Sequence, residues 1–174
     1  KKYPEYQGKF TFIQLSSPID SKIAQANSYS TSVTQEIERI NNLYKTNNWK
    51  PIVFIKKYHT HKQLDHYYRL ANFCLITSLH EGMNLISKEF VAARDDEKGV
   101  LILSQFAGAS KEFSRDALII NPYDANQTAE AIHTALKMND TEQTKRMKKL
   151  RNIVKHHNTY RWAAEILKML VSIE

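Results

Sequence analysis

Apolar residues along this chain gather in five short runs, Phe10 to Leu15, Ile52 to Ile55, Phe73 to Thr77, Val100 to Leu103 and Leu118 to Ile120, none alternating cleanly with polar positions. Runs of this length, rich in β-branched and aromatic residues, predict strands, and the missing alternation predicts burial on both faces, as in parallel sheets flanked by helices. Between the runs the period becomes helical, with Val33, Ile37, Ile40 and Tyr44 on one stripe and Leu64, Tyr67, Tyr68 and Ala71 on the next. Parallel neighbours require crossover connections and helices supply them, so the order predicts a doubly wound, mainly parallel α/β sheet. After the fifth run the chain reads as helical throughout. Asp124 with Gln127 forms a capping pair ahead of Ala129, Ile132, Ala135 and Leu136, and two further amphipathic helices follow, the last carrying Trp162, Ile166, Leu170 and Ile173. There is no repeat, low-complexity tract or obvious linker.

With 174 residues and 42% apolar composition the chain can bury one substantial core, so a single domain spanning 1–174 is expected. No apolar run approaches the ~20 residues that cross a bilayer, and Lys1-Lys2-Tyr3-Pro4 leads into no signal-peptide core, which predicts a soluble chain without a visible address. The one cysteine, Cys74, lies within an apolar run, which rules out an internal disulfide and a cysteine-rich metal site and suits a reducing cytoplasm. The net charge of +7 suits an anionic partner, whether nucleic acid, membrane surface or phosphorylated small molecule, and charge alone does not choose. Much of the excess lies in Lys145-Arg146-Met147-Lys148-Lys149-Leu150-Arg151, where Met147, Leu150 and Val154 recur at helical spacing and the cations read as a solvated face. A nucleic-acid module is favoured by charge only, since no helix-turn-helix, finger or aromatic RNA platform is present.

Chemistry is expected where the third strand gives way to a helix beginning near Asn84, in the turn Ser78-Leu79-His80-Glu81-Gly82-Met83. Open α/β sheets bind ligands at the carboxyl ends of their strands. Gly82, one of only four glycines, predicts either an unusual dihedral or a closely approaching ligand. The amides of Met83, Asn84 and Leu85 at the helix start favour an anion such as a diphosphate. Glu81 and Glu89, eight positions apart, place two carboxylates along this turn on nearly one helical face. A carboxylate against a phosphate is repulsive, so each suits sugar hydroxyls, Glu89 a ribose diol and Glu81 a transferred sugar. The competing reading makes Glu81 a first-turn acid favoured by the helix dipole and Glu89 a surface residue near Lys88 or Arg94.

The segment Thr77-Ser-Leu-His-Glu-Gly-Met-Asn-Leu-Ile-Ser-Lys-Glu-Phe-Val-Ala-Ala93 resembles the donor-binding motif of the trehalose-6-phosphate synthases. Val100 to Ala109 and Ala117 to Asp124 resemble the same family, as do Gly8-Lys-Phe and Arg39-Ile-Asn41 more loosely, in the family's order over nearly the whole chain. The resemblance implies the C-terminal, nucleotide-sugar-binding domain of a retaining glycosyltransferase of the B fold, a Rossmann-like sheet of about five or six strands with C-terminal helices. It implies glucose transfer from UDP-glucose to glucose 6-phosphate with retention, forming α,α-trehalose 6-phosphate. It also implies that Glu81, Gly82, Met83 and Asn84 hold the donor glucose, the Leu85 amide meets the diphosphate, and Glu89 takes the ribose hydroxyls. The Ser104 to Gly108 loop either borders that pocket or is a helix start where Gly108 eases packing. No protein acid or base is implied as a catalyst, and catalysis rests on positioning and on charge stabilisation at the leaving phosphate.

No cofactor or metal is expected. His59-Thr60-His61 lacks a third ligand at recognisable spacing, and His156-His157 reads as solvated. The implied partners are a nucleotide sugar, a sugar phosphate and an N-terminal acceptor domain, with homo-oligomer formation left open and no nucleic acid or membrane. Residues 159–174 are expected to cross toward that other domain, leaving an apolar patch, and the family's diphosphate-clamping Arg and Lys would precede Lys1, so this chain alone is expected to be inactive. Two positions depart from the family: His80-Glu81 replaces Arg-Asp, and Ser30 stands about where an arginine meets the acceptor's phosphate. These keep open another phosphorylated acceptor, such as glycerol 3-phosphate, or a non-catalytic regulatory member.

Overall fold

A computed structural model of the chain describes residues 2–18 and 24–172. It divides into two compact units, Lys1–His61 and Lys62–Glu174. In the first, strands β1 (Phe12–Ser16) and β2 (Ile52–Lys56) pair in parallel from Phe12↔Ile52 to Ser16↔Lys56, joined through helix α1 (Ala24–Tyr44). β1 starts two residues later than the apolar run because Phe10 lies outside the ladder: its carbonyl accepts from the Trp49 indole N–H at 3.0 Å. Asn41 near the end of α1 grips both backbone groups of Ile52, each at 3.0 Å, and so sets where β2 begins.

The second unit carries strands β3 (Phe73–Ile76), β4 (Val100–Ser104) and β5 (Leu118–Ile120), parallel in the order β3-β4-β5. Its helices are α2 (His61–Leu70, starting on the boundary residue), α3 (Leu85–Ala93), α4 (Ser110–Phe113), α5 (Ala125–Lys137), α6 (Asp140–His156) and α7 (Thr159–Val171). Five parallel strands are thus present among the described residues, divided two and three between separate hydrogen-bonded ladders rather than joined in one sheet. Apolar runs report that a strand is buried, but ladder membership depends on pairing between distant segments, which composition does not encode.

Strand β4 shows why its run does not alternate. Leu101 and Leu103 pack with Phe90, Val91, Phe113, Met147 and Leu150, whereas Val100 and Ile102 join Ile120 and Ala135 in a second cluster. Successive side chains point to opposite faces, so α3 and α6 cover one side and α5 the other. Full burial of each large side chain contributes about 1.5–3 kcal/mol. Asp124 caps α5 by accepting from the amides of Asn126 and Gln127, and Gln127 Oε1 reaches back to the Asn121 amide, outside the helix, rather than to the cap residue itself.

The basic run on α6 is largely paired. Arg146 meets Glu142, Lys148 meets Glu97 and Lys149 meets Asp116, and Arg151 donates to the Val91 and Ala92 carbonyls at the end of α3. His157, read as solvated, is exposed, and its ring lies 3.2 Å from Glu112, which also receives Lys88. α7 is exposed along its length, with Trp162 at 59% and Leu167, Met169 and Leu170 similarly open, while Ile173 lies outside the described residues. Among the described residues no helix is long and apolar enough to cross a membrane.

Candidate functional site

The expected turn follows β3 and stands at the carboxyl ends of the three parallel strands. It is laced to the loop after β4 by main-chain bonds. The Glu81 amide donates to the Phe106 carbonyl at 3.2 Å, the Glu81 carbonyl accepts from Gly108 at 2.9 Å, and the Met83 carbonyl accepts from Ala109 at 2.8 Å. Glu81 and Ala107 form an isolated parallel bridge. The contact is so close that a Cβ on Gly108 would lie 2.0 Å from the Gly82 carbonyl oxygen. Gly108 therefore serves the seating of one loop on the other. Gly82 is different: its φ is not in the left-handed region and nothing lies within 4 Å of a Cβ built on it. The backbone at Gly82 therefore does not require a glycine for its dihedral, and a side chain there would have room.

Asn84 organises the turn. It is 2% exposed, adopts the left-handed φ of 75°, and caps α3 by accepting from the Ser87 amide at 2.8 Å. Its amide nitrogen donates to Glu81 Oε2 at 2.7 Å, and the Ser78 hydroxyl donates to the same oxygen at 2.6 Å. The Ser78 hydrogen bond first, and then that of Asn84, hold the Glu81 carboxyl below the usual carboxylate range, against a smaller opposing effect of burial. Glu81 is thus an exposed, oriented anion on a loop. It does not share a helical face with Glu89, because α3 starts only at Leu85. The Leu85 and Ile86 amides open the first turn of α3 and have no intrahelical carbonyl to reach. The Leu79, Met83, Leu85 and Ile86 side chains are exposed around them.

Glu89 is half-buried one turn further along α3. Neither cation considered for it is its partner, since Lys88 binds Glu112 at 2.9 Å and Arg94 binds Asp96. Its partner is Tyr68 of α2, whose hydroxyl donates to Glu89 Oε2 at 3.1 Å. Burial, and then the adjacent Glu89 charge, push the Tyr68 hydroxyl well above its ordinary pKa, so it remains a donor at neutral pH. Arg94, 5% exposed, gathers the carbonyls of Tyr68, Arg69 and Ala71 at 2.6–3.0 Å and so ties the end of α2 to the end of α3.

Ser78, Tyr68 and Phe106 are site residues that the sequence pattern did not single out. Ser78 had a signal in its Ser-x-x-Glu spacing to Glu81, although that spacing serves carboxylate orientation here and not a capping box. Phe106 also carries a ring contact, 5.3 Å from His80 and 5.8 Å from Tyr123, which joins the loops after β3, β4 and β5. In the first unit Lys56 Nζ donates to the Ser30 hydroxyl at 2.7 Å, so a cation stands beside that position. Among the described residues no three His, Cys, Asp or Glu side chains lie where they could hold a metal ion.

A parallel α/β unit covered on both faces, with an open helix start at its carboxyl edge, is the class of domain that binds its ligands at the carboxyl ends of its strands. The chain belongs to glycosyltransferase family 20, whose model matches residues 1–172. It is 37% identical over 172 residues to the bifunctional trehalose-6-phosphate synthase/phosphatase of Thermoproteus tenax, covering 99% of this chain and 23% of that protein. The E. coli trehalose-6-phosphate structure bound with UDP-2-fluoro glucose superposes with a TM-score of 0.93 at 33% identity, covering 97% of this chain and 38% of that one. The UDP-forming α,α-trehalose-phosphate synthase of Burkholderia xenovorans in complex with glucose-6-phosphate gives 0.91 at 33% identity, covering 95% and 36%. The resemblance to trehalose-6-phosphate synthases holds across the chain, which spans under two fifths of the length of these relatives.

Proposed function

We propose that this chain forms the donor side of a retaining glucosyltransferase that moves glucose from UDP-glucose to glucose 6-phosphate, yielding α,α-trehalose 6-phosphate. The observation that carries the reading is the pairing of two held carboxylates, Glu81 by Ser78 and Asn84 and Glu89 by Tyr68, across the open backbone at Gly82. The related structures solved with UDP-2-fluoro glucose and with glucose-6-phosphate support the two substrate classes.

In this reading Glu81 accepts hydrogen bonds from the donor glucose, with the backbone of Gly82, Met83 and Asn84 alongside it. The Leu85 amide meets the diphosphate at the head of α3, where the helix dipole stabilises charge on the departing phosphate. Glu89 takes the ribose hydroxyls through charge-assisted bonds of about 1.5–3 kcal/mol each. No side chain serves as acid or base. The acceptor hydroxyl attacks the face from which the diphosphate leaves, so the reading rests on positioning the two substrates and calls on no resident cofactor.

The acceptor side, including the domain toward which the exposed α7 helix would cross, lies in this proposal on a longer polypeptide acting in the cytoplasm. A second acceptor, such as glycerol 3-phosphate, is favoured by the replacement of the family's arginine by Ser30, with Lys56 as the neighbouring cation.

The test is calorimetric titration of UDP and UDP-glucose into the complete polypeptide, wild type and Glu89→Ala, followed by mass analysis of product with each acceptor. Equal affinities in the two proteins would remove the ribose role of Glu89. Absence of a glucosylated product with either phosphate would remove the transferase reading.

A further inference from the structure

We propose that Tyr68 is a positioning residue for nucleotide-sugar recognition, holding the Glu89 carboxylate in the orientation that receives the ribose diol; this rests on the role of Glu89 proposed above. Glu89 is a long, half-buried side chain on α3, and none of the described cations binds it. An unrestrained carboxylate in that place would sample several rotamers and lose entropy on binding. The Tyr68 hydroxyl removes that freedom by occupying one oxygen, Oε2, and leaves Oε1 with its lone pairs for a ligand.

Two contacts fix where the hydroxyl itself stands. The Tyr68 ring meets Phe90 edge-to-face at 6.4 Å, with Phe90 fully buried one residue after Glu89. The Tyr68 carbonyl accepts from Arg94 Nη1 at 3.0 Å, and Arg94 closes α3. Tyr68 is therefore joined to α3 by its ring, its main chain and its hydroxyl, at Phe90, Arg94 and Glu89 in turn. Only the hydroxyl contact is unnecessary for packing, since phenylalanine would preserve the ring and the carbonyl. The hydroxyl's role follows from what it does as a donor: it orients.

The experiment compares UDP with 2′,3′-dideoxy-UDP, which lacks the ribose diol, as ligands of the complete polypeptide by titration calorimetry. It uses wild type, Tyr68→Phe, Glu89→Ala and the double variant. The expected result is a loss of about three- to tenfold in UDP affinity for Tyr68→Phe. The affinity for the dideoxy analogue is unchanged, and Tyr68→Phe causes no further loss when Glu89 is already alanine. In turnover, the same variant raises KM for UDP-glucose more than it lowers kcat. A Tyr68→Phe variant that loses both ligands equally, or that weakens UDP binding in the Glu89→Ala background, overturns the positioning role. If wild type binds UDP and the dideoxy analogue equally, the ribose reading of Glu89 is what fails. Should Tyr68→Phe fold poorly, Glu89→Gln provides the second measurement: with the charge gone but the shape kept, preference for the diol falls while Tyr68 stays in place. Retention of the full preference in Glu89→Gln would likewise overturn the proposal.

Discussion

The Tyr68 hydroxyl donates to Glu89 Oε2 across 3.1 Å, and the Tyr68 carbonyl accepts from Arg94, the C-cap of the helix that carries Glu89. A single residue of α2 thus sets both the direction of a site carboxylate and the docking of the helix that carries it. The same economy governs Asn84, whose one side chain caps α3 and orients Glu81. Recognition groups here are positioned by the interactions that hold the fold, so substitutions at these positions affect stability and binding in separable ways.

Asn84 combines a cap, a left-handed backbone and a bond to Glu81. Asn84→Ala should lose about 1 kcal/mol of capping and a further 1–2 kcal/mol of backbone strain. Asn84→Gly keeps the backbone relaxed and should be the more stable of the two by roughly 1 kcal/mol. Urea denaturation of both variants measures the difference, and equal midpoints would show that φ at position 84 carries no strain.

Gly108 and Gly82 should respond oppositely to alanine. A Cβ at 108 meets the Gly82 carbonyl, so Gly108→Ala must part the two loops, at a cost on the order of 1–3 kcal/mol. A Cβ at 82 meets nothing, so Gly82→Ala should unfold as wild type does yet bind UDP-glucose more weakly. Thermal unfolding and calorimetric titration separate the two, and a stable Gly108→Ala would contradict the close seating of the loops.

Arg94 is a buried planar donor with carbonyl acceptors on one side and the Asp96 carboxylate on the other. Lysine keeps the charge but cannot reach both sets, so Arg94→Lys should lose about 2 kcal/mol or more by leaving helix-end carbonyls unpaired. A chemical denaturation midpoint unchanged from wild type would sink this account.

Glu112 couples pH to stability. Burial raises its pKa, but the hydrogen bonds from Lys88 and His157 outweigh that and leave it below the ordinary 4.5. Its stabilising effect is therefore complete above about pH 4.5 and is lost as pH falls through the lower folded value. Wild type should lose more stability than Glu112→Gln on acidification from pH 6 to about pH 3. Parallel pH curves for the two proteins would count against the linkage.

The sequence by itself determined which segments become strands and helices in this protein, and it located the turn that bears Glu81 and Gly82. Both are local matters: apolar runs with no alternation, a 3.6-residue stripe, and a glycine with an acid where a strand hands over to a helix. A helix start near Asn84 was legible for the same reason, whereas the capping role of its side chain was not. The tertiary structure alone decided that the strands divide into two ladders, that Gly82 is open while Gly108 is pressed against it, and that Glu89 answers to Tyr68 rather than to Lys88 or Arg94. Each of these depends on residues 16 or more positions apart meeting through hydrogen bonds or backbone contact, as Ile102 and Leu118 do at 16 and Tyr68 and Glu89 at 21. Such meetings leave no periodic trace in the chain, because periodicity records which face of an element is buried and not which partner buries it.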